Sequence, residues 1–427
     1  MSEAKPIDSR RAAPSTPGPE MGALASVEEA LAHILERTNT VNGSERIAST
    51  AALGRVLVND LVAAVDVPPA DNSAVDGYAV RTRDLGGANA TLLEISQRAA
   101  AGRAPPPLRP GSAARIFTGA PLPPGADAVV MQEHCRADGE RVLLPGGIGI
   151  DEGAHVRRAG EDIRRGRVIL PAGQRMRPQD LGLAASVGLA AVEVRRRLRV
   201  GMLSTGDELT EPGQPAPLGK IYDSNRYTLA ALLRSLNCVV IDYGIVADDA
   251  GETRAAIAHL AGKSDVVISS GGVCLGEEDH VRAAVQSLGQ ISLWGVAVKP
   301  GKPLAFGRVG EAAFLGLPGN PVAQYVAFCL FARPLLLRAQ GVRDVAPPAY
   351  LVRADFTRTQ ACARREYLRT RIERRAPGEQ RAVLHHNQGS GVLASTVWSE
   401  GLAIIPEGTT VATGDTVEFL PNAGLVG

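Results

Sequence analysis

DVVISSGGVCLGEED, residues 265–279, is the stretch whose reading decides the fold. An apolar, β-branched run without alternation reads as a strand buried on both faces, the double glycine as a tight turn at its end, and Asp279 as the start of a helix. That is one strand–turn–helix unit of an α/β sheet. Ligands of such sheets sit outside the carboxyl ends of the strands, where Gly271 and Gly272 let backbone N–H groups approach an anion. The alternation continues on both sides. LRVGMLS from Leu198 is a strand, 224–236 a helix, CVVIDYGIV from Cys238 a strand and 253–261 a helix. After a helix over 279–288 come the strands ISLWGVAV, PLAFGRV and AAFLGL, then a long apolar helix over 321–339. The order predicts a doubly wound sheet with helices on both faces.

Five turns fall at the predicted strand ends: STGDEL from Ser204, Asp248 and Asp249, SGGVCLGEED from Ser270, KPGKP from Lys299 and GLPGNP from Gly316. Together they describe one rim carrying carboxylates, lysines and backbone N–H groups. Only five of the 46 basic residues are lysines, and two of them, Lys299 and Lys302, stand three apart on this rim. Lysine supplies a compact point charge for an oxyanion where arginine would impose a planar fork. Asp207 with Glu208, Asp248 with Asp249, and 277–279 add hard oxygen ligands from several loops, the set that magnesium on a substrate phosphate requires. Asp279 is equally read as a helix cap.

Around this domain the texture changes. The start, MSEAKPIDSRRAAPSTPGPEMG, lacks an apolar core and reads as a disordered leader, 1–23, rather than a signal peptide. Ser26 and Glu29 form a capping box, followed by Leu31, Ile34 and Leu35 at helical spacing. Short strand-like runs rich in Pro and Gly fill 65–158, a β-rich domain inserted into a helical and linker domain formed by 24–64 and 159–197. The α/β domain covers 198–342 and an all-β domain 343–427. With 427 residues, 45% of them hydrophobic, several domains are expected.

A net charge of +1 favours no polyanion. Arg195, Arg196, Arg197 and Arg199 read as a solvated junction without interleaved aromatic residues, so no nucleic acid is expected. The longest apolar stretches are short or carry Gln324 and Arg333, so no membrane span is expected. Cys135, Cys238, Cys274, Cys329 and Cys362 are odd in number and have no metal-binding spacing, which agrees with a reducing, cytoplasmic setting.

The motifs DNSAVDGYA, TGAPLPPGADAVVMQE, AGEDIRRG, STGDEL, DSNR, SGGVCLGEEDH, VKPGKPLAFG and GLPGNPVA resemble, in order, those of the molybdopterin molybdenumtransferase family, to which the E domain of gephyrin is related. The resemblance implies a multidomain α/β protein: a doubly wound molybdopterin-binding domain, a β-rich inserted domain, a helical domain and a small C-terminal domain like a β-barrel. It implies a homodimer that takes adenylylated molybdopterin and molybdate, hydrolyses the adenylate with Mg2+ and leaves molybdenum on the dithiolene. Other enzymes of molybdenum cofactor synthesis are implied as further partners.

By the same resemblance Glu208, Asp248 and Asp279 bind the metal and, with Lys299 and Lys302, form the catalytic set. Ser224, Asn225, Gly271, Gly272, Arg369 and Ser390 contact substrate, and Asp71, Thr118 and Asp162 do so from the inserted domain. Three residues depart from the family pattern: Val75 for methionine, Cys274 for serine, and Ala323 for serine. Two alternatives stay open, the adenylyltransferase that shares the α/β domain and a gephyrin-like binding scaffold.

Overall fold

The computed structural model describes residues 24–147, 149–273, 280–376 and 379–426. The leader and Cys274, Glu277, Glu278 and Asp279 therefore lie outside the described residues. The chain divides into two compact units, one of Glu45–Leu53 with Leu57–Val194, the other of Met1–Ser44, Gly54–Val56 and Arg195–Gly427.

The larger unit opens with α1 (Val27–Glu36), capped by the Ser26 and Glu29 box. Its apolar face, Val27, Ala30 and Ile34, is buried in the same core as the α/β sheet. The stripe thus finds its apolar partners on the helices and sheet of its own unit, whereas the sequence reading assigns residues 24–64 to a helical domain.

The sheet comprises β1 (Arg199–Thr205), β2 (Val239–Val246), β3 (Val266–Ser270), β4 (Gly289–Trp294), β6 (Ala305–Val309) and β7 (Ala312–Leu317); β5 (Val298–Lys299) lies outside it. The strand order is β2-β1-β3-β7-β6-β4. The first four run parallel, whereas β6 is antiparallel to both neighbours. The successive strands expected there run antiparallel for a local reason. Only Gly310, at φ 56°, and Glu311 separate Val309 from Ala312, and a two-residue hairpin joins antiparallel strands.

Helices cover both faces. In β3, Val266 and Ile268 face α2 (Ser224–Ser235) and α5 (Pro321–Ala339), while Val267 faces α3 (Ala250–Ala261) and α4 (His280–Leu288). The period of two delivers successive side chains to opposite cores, so a doubly covered strand must be apolar throughout. Helix α5 is long and apolar enough to cross a membrane, and 94% of it is buried in this core. Its middle, Phe328–Ala332, widens to a π-helix just before Pro334, whose ring and missing N–H disturb regular α-helical bonding.

The predicted strand ISLWGVAV breaks at Gly295, φ 82°. Beyond it β5 leaves the sheet and pairs with the C-terminal domain, where β8 (Tyr350–Ala354), β9 (Arg365–Ala376), β10 (Glu379–Leu384), β11 (Gly401–Ile405) and β12 (Thr416–Pro421) close into a small barrel. In the arginine run, Arg197 and Arg199 are exposed as expected, whereas Arg196 differs from its reading as solvated. Arg196 binds Asp265 through both Nη atoms, at 2.8 and 2.7 Å, and donates its Nε to Asn42 O at 2.8 Å.

The smaller unit holds a six-stranded sheet with apolar cores on both faces, Tyr78, Val80 and Val130 on one and Ala79, Ala114 and Val129 on the other. Beside it, residues 159–194 are less helical than expected. One helix, Pro178–Ser186, accompanies an antiparallel ladder of Leu61–Val62 with Val168–Leu170, because the turns at Pro171 and Gly173 leave room for only short elements.

Candidate functional site

The carboxyl ends of β1, β2, β3 and β7 carry four of the five predicted turns, and specific contacts join them. After β3, the Gly271 amide donates to Leu317 O at 3.0 Å, extending the pairing with β7 beyond the strand end. That bond removes Gly271 from the expected pair of anion donors, while Gly272 donates to no described residue. Both glycines are required by space: a Cβ on Gly271 would stand 2.9 Å from Thr205 O, and one on Gly272 would stand 2.4 Å from Val281 Cγ2. Their φ angles, 87° and 67°, also exclude ordinary side chains.

Asn225 links three elements. Asp223, buried, caps α2 through the Arg226 amide, which sets Asn225 in the first turn. From there Asn225 Nδ2 donates to Ser270 Oγ at 3.1 Å and Gly319 O at 2.6 Å. The substrate role expected for Asn225 is thus matched by a structural one, while Ser224 beside it is half-buried. Gly319 passes so close to Gly271 that its Cβ would be 3.7 Å from the Gly271 Cα. Next to it Asn320 caps α5 by position without a side-chain bond, leaving its exposed amide available. Sequence reasoning quoted this asparagine without singling it out, although its place at a strand end and helix start was the available signal.

The acidic side is built from two loops. Glu208 is exposed and folds over Gly206, where a Cβ would meet its Oε2 at 2.4 Å. Asp248 is exposed and accepts from the Asp207 amide through Oδ2 at 3.2 Å, which leaves Oδ1 without a hydrogen bond among the described residues. Lys220 donates to Asp207 O. Asp249 serves as the cap of α3. Beneath this side, Ser204, Thr205 and Ser269 bury hydroxyls that have no hydrogen-bond partner among the described residues.

The lysines and the C-terminal barrel meet at the same rim. Lys299 and Lys302 are both exposed, and the Gly301 between them, φ 119°, packs against Ala323 of α5. Ser390 O accepts from the Val322 amide at 3.0 Å, which brings the 387–391 loop to the start of α5. Arg369 differs from expectation. It is 0% exposed and turns its guanidinium to Ser395 Oγ, Tyr367 O and Gly389 O, with no carboxylate partner among the described residues. Burial lowers it to about 10. A guanidinium so enclosed shapes the loop that carries Ser390. A cavity of about 460 Å³ in the barrel, lined by residues such as Thr410, Asp415 and Val417, contains none of these groups.

In the smaller unit, the 67–76 segment runs between 117–122 and 158–163. Asp71 accepts from the Ala159 amide at 2.8 Å and from Arg158 Nη1 at 2.7 Å, and the Ala159 bond above all holds its carboxyl below the usual range. Thr118 donates through both its amide and Oγ1 to Asp76 Oδ1, each at 2.8 Å. The Asp162 amide donates to Val67 O at 3.0 Å, while its exposed carboxylate bonds no described residue. All three predicted residues thus stand around one segment.

Comparison with known proteins places these features. Residues 25–188 match the MoeA N-terminal region (domain I and II), 201–338 the Probable molybdopterin binding domain, and 352–422 the MoeA C-terminal region (domain IV). A molybdopterin molybdenumtransferase of Haemophilus influenzae is 36% identical over 411 residues, covering 95% of this chain and all of that protein. One from Nostoc is 34% identical over 420 residues, covering 95% and 94%. The molybdopterin biosynthesis MoeA protein of Pyrococcus horikoshii superposes with a TM-score of 0.80 at 28% identity, over 93% of this chain and all of that one. On these matches, the chain belongs to the molybdopterin molybdenumtransferase family, transferases of molybdenum cofactor biosynthesis.

Proposed function

We propose that this chain, as a cytoplasmic homodimer, transfers molybdenum from molybdate to adenylylated molybdopterin and hydrolyses the adenylate at the rim of its α/β domain. The observation that carries this reading is the joining of the turns after β1, β2, β3 and β7 with the Lys299 turn and the Ser390 loop. Such an edge gathers cations, carboxylates and backbone donors on one substrate, and binding in the fixed geometry lowers the barrier by orientation.

Lys299 and Lys302 would hold the molybdate dianion by charge-assisted hydrogen bonds, with Ser390 and the open amide of Gly272 as neutral donors. Arg369 would act through the Ser390 loop. Glu208 and Asp248, joined by Asp279, would hold magnesium; the exposed carboxylates of Glu208 and Asp248, whose Asp248 Oδ1 bonds no described residue, are the hard donors this ion takes. When bound, magnesium neutralises charge on the diphosphate oxygens. In the hydrolysis, a water oxygen bonds to the adenylate phosphorus, the bridging P–O bond breaks, and AMP leaves while molybdopterin keeps its own phosphate. Asp71, Thr118 and Asp162, clustered in the inserted domain, would complete the site of the partner protomer.

The test is AMP release from adenylylated molybdopterin with magnesium, with and without molybdate, for the wild type, Lys299→Ala and Asp279→Ala. Molybdate-stimulated release that both variants lose is expected. Adenylylation of molybdopterin from ATP without such release would transfer the assignment to the preceding enzyme.

A further inference from the structure

Behind the lysine turn lies a carboxylate that no sequence motif pointed to. The Glu366 side chain is 2% exposed, and Lys299 Nζ lies 2.9 Å from its Oε1. Arg358 Nη2 donates to both of its oxygens, at 2.8 and 3.0 Å. The backbone enforces the meeting: Val298 and Lys299 of β5 pair in register with Arg365 and Glu366 of β9, and the Arg365 amide donates to Ala297 O at 3.0 Å. Burial alone would raise the Glu366 carboxyl, but hydrogen bonds from Lys299 and Arg358 outweigh it and hold the carboxyl below its usual range. Glu366 is therefore a fixed negative charge at neutral pH.

A free lysine side chain samples many rotamers, and an oxyanion that recruits it must bear the cost of ordering it. Here one ammonium N–H is already committed to Glu366, which leaves two donors on a half-exposed side chain held at a defined point. Without a second cation the carboxylate would cancel the lysine. Arg358 supplies that cation, so the trio keeps one net positive charge toward the rim.

We propose that Glu366 is a positioning residue for the molybdate step, acting through Lys299 while Arg358 balances its charge. The assignment rests on the proposed reaction and adds the barrel domain to its machinery: closure of β5 onto β9 sets where the Lys299 ammonium stands.

The experiment compares full-length wild type with Glu366→Gln. The molybdate concentration for half-maximal AMP release is expected to rise about tenfold or more, with turnover at saturating molybdate within about twofold of wild type. In protein labelled with [15N]lysine, a chain of five lysines gives few signals. The Lys299 ammonium, identified by its loss in Lys299→Arg, should exchange slowly with water in the wild type and fast in Glu366→Gln. Because Glu366→Gln leaves Arg358 uncompensated, Glu366→Gln/Arg358→Met is also compared with Arg358→Met, and the same rise in half-saturation is expected. An unchanged half-saturation, an unchanged Lys299 signal, or equal losses of turnover and affinity overturns the proposal. Wild type that releases no AMP in response to molybdate would instead sink the reaction assignment, and the proposal with it.

Discussion

Asp207 and Asp248 each hold the other's backbone. The Asp207 amide donates to Asp248 Oδ2 at 3.2 Å, and the Asp248 amide donates to Asp207 Oδ1 at 3.1 Å. The loops after β1 and β2 are tied by this exchange, which fixes where the proposed ligand Asp248 stands. Asp207→Ala removes one bond of the tie, whereas Asp207→Asn keeps an acceptor oxygen. Losing a bond of about 0.5–1.5 kcal/mol should raise the magnesium needed for half-maximal AMP release by about two- to tenfold in Asp207→Ala. A magnesium titration checks this, with Asp207→Asn expected within about twofold of wild type.

Gly272 tolerates no side chain. Its φ is 67°, and an added Cβ would stand 2.4 Å from Val281 Cγ2 and 2.8 Å from Thr205 Oγ1. Val281 belongs to the core between α4 and the sheet, so it cannot simply move aside. Gly272→Ala should cost about 2–4 kcal/mol from overpacking and backbone strain together. Urea unfolding should give a lower midpoint with an unchanged slope.

Asp265 makes part of the stability acid-sensitive. Burial alone would raise its carboxyl, but Arg196 and the Arg199 amide outweigh this and hold it below its ordinary 3.8. A group whose folded value lies below its unfolded one stabilises the fold above the unfolded value and loses that contribution as the pH falls through the folded one. Arg196→Met should therefore be less stable than wild type by about 1–3 kcal/mol at neutral pH. Urea unfolding at pH 7, 5 and 3 should give the same gap at the first two and a narrower one at the last.

Ala323, 3% exposed, lies under the Lys299 turn with its carbonyl and Cβ against Gly301. The sequence resemblance implies a serine there, whose hydroxyl would add one donor to the proposed molybdate subsite. Ala323→Ser should lower the half-saturating molybdate concentration by about two- to tenfold, the worth of one hydrogen bond. Unchanged molybdate dependence of AMP release would show that the hydroxyl has no such contact.

Much of the α/β unit was legible because its signals are local. The run VVISS needs no partner to read as a doubly covered strand, and Ser26 with Glu29 announces α1 within one turn. The hairpin at Gly310 was equally local: PLAFGRV and AAFLGL read as successive strands, and the two-residue turn between them sets them antiparallel. Arg196 was misread: a charge run reads as solvated until the chain brings Asp265 against it. The resemblance singles out Arg369, but no sequence property tells an exposed guanidinium from one enclosed by loop carbonyls.

By itself, then, the sequence determined the order of strands and helices, the turns at their carboxyl ends and the residue types gathered there. Periodicity and glycine placement act over a few residues, where backbone sterics and side-chain alternation decide the outcome. Tertiary structure decided which groups are spent and which remain free. Asn225 reaches Gly319, Gly271 gives its amide to Leu317, and Glu366 meets Lys299 only because β5 crosses to the barrel. Those pairings join residues distant in the chain, and buried polar groups take whichever partner the packed fold brings within about 3 Å.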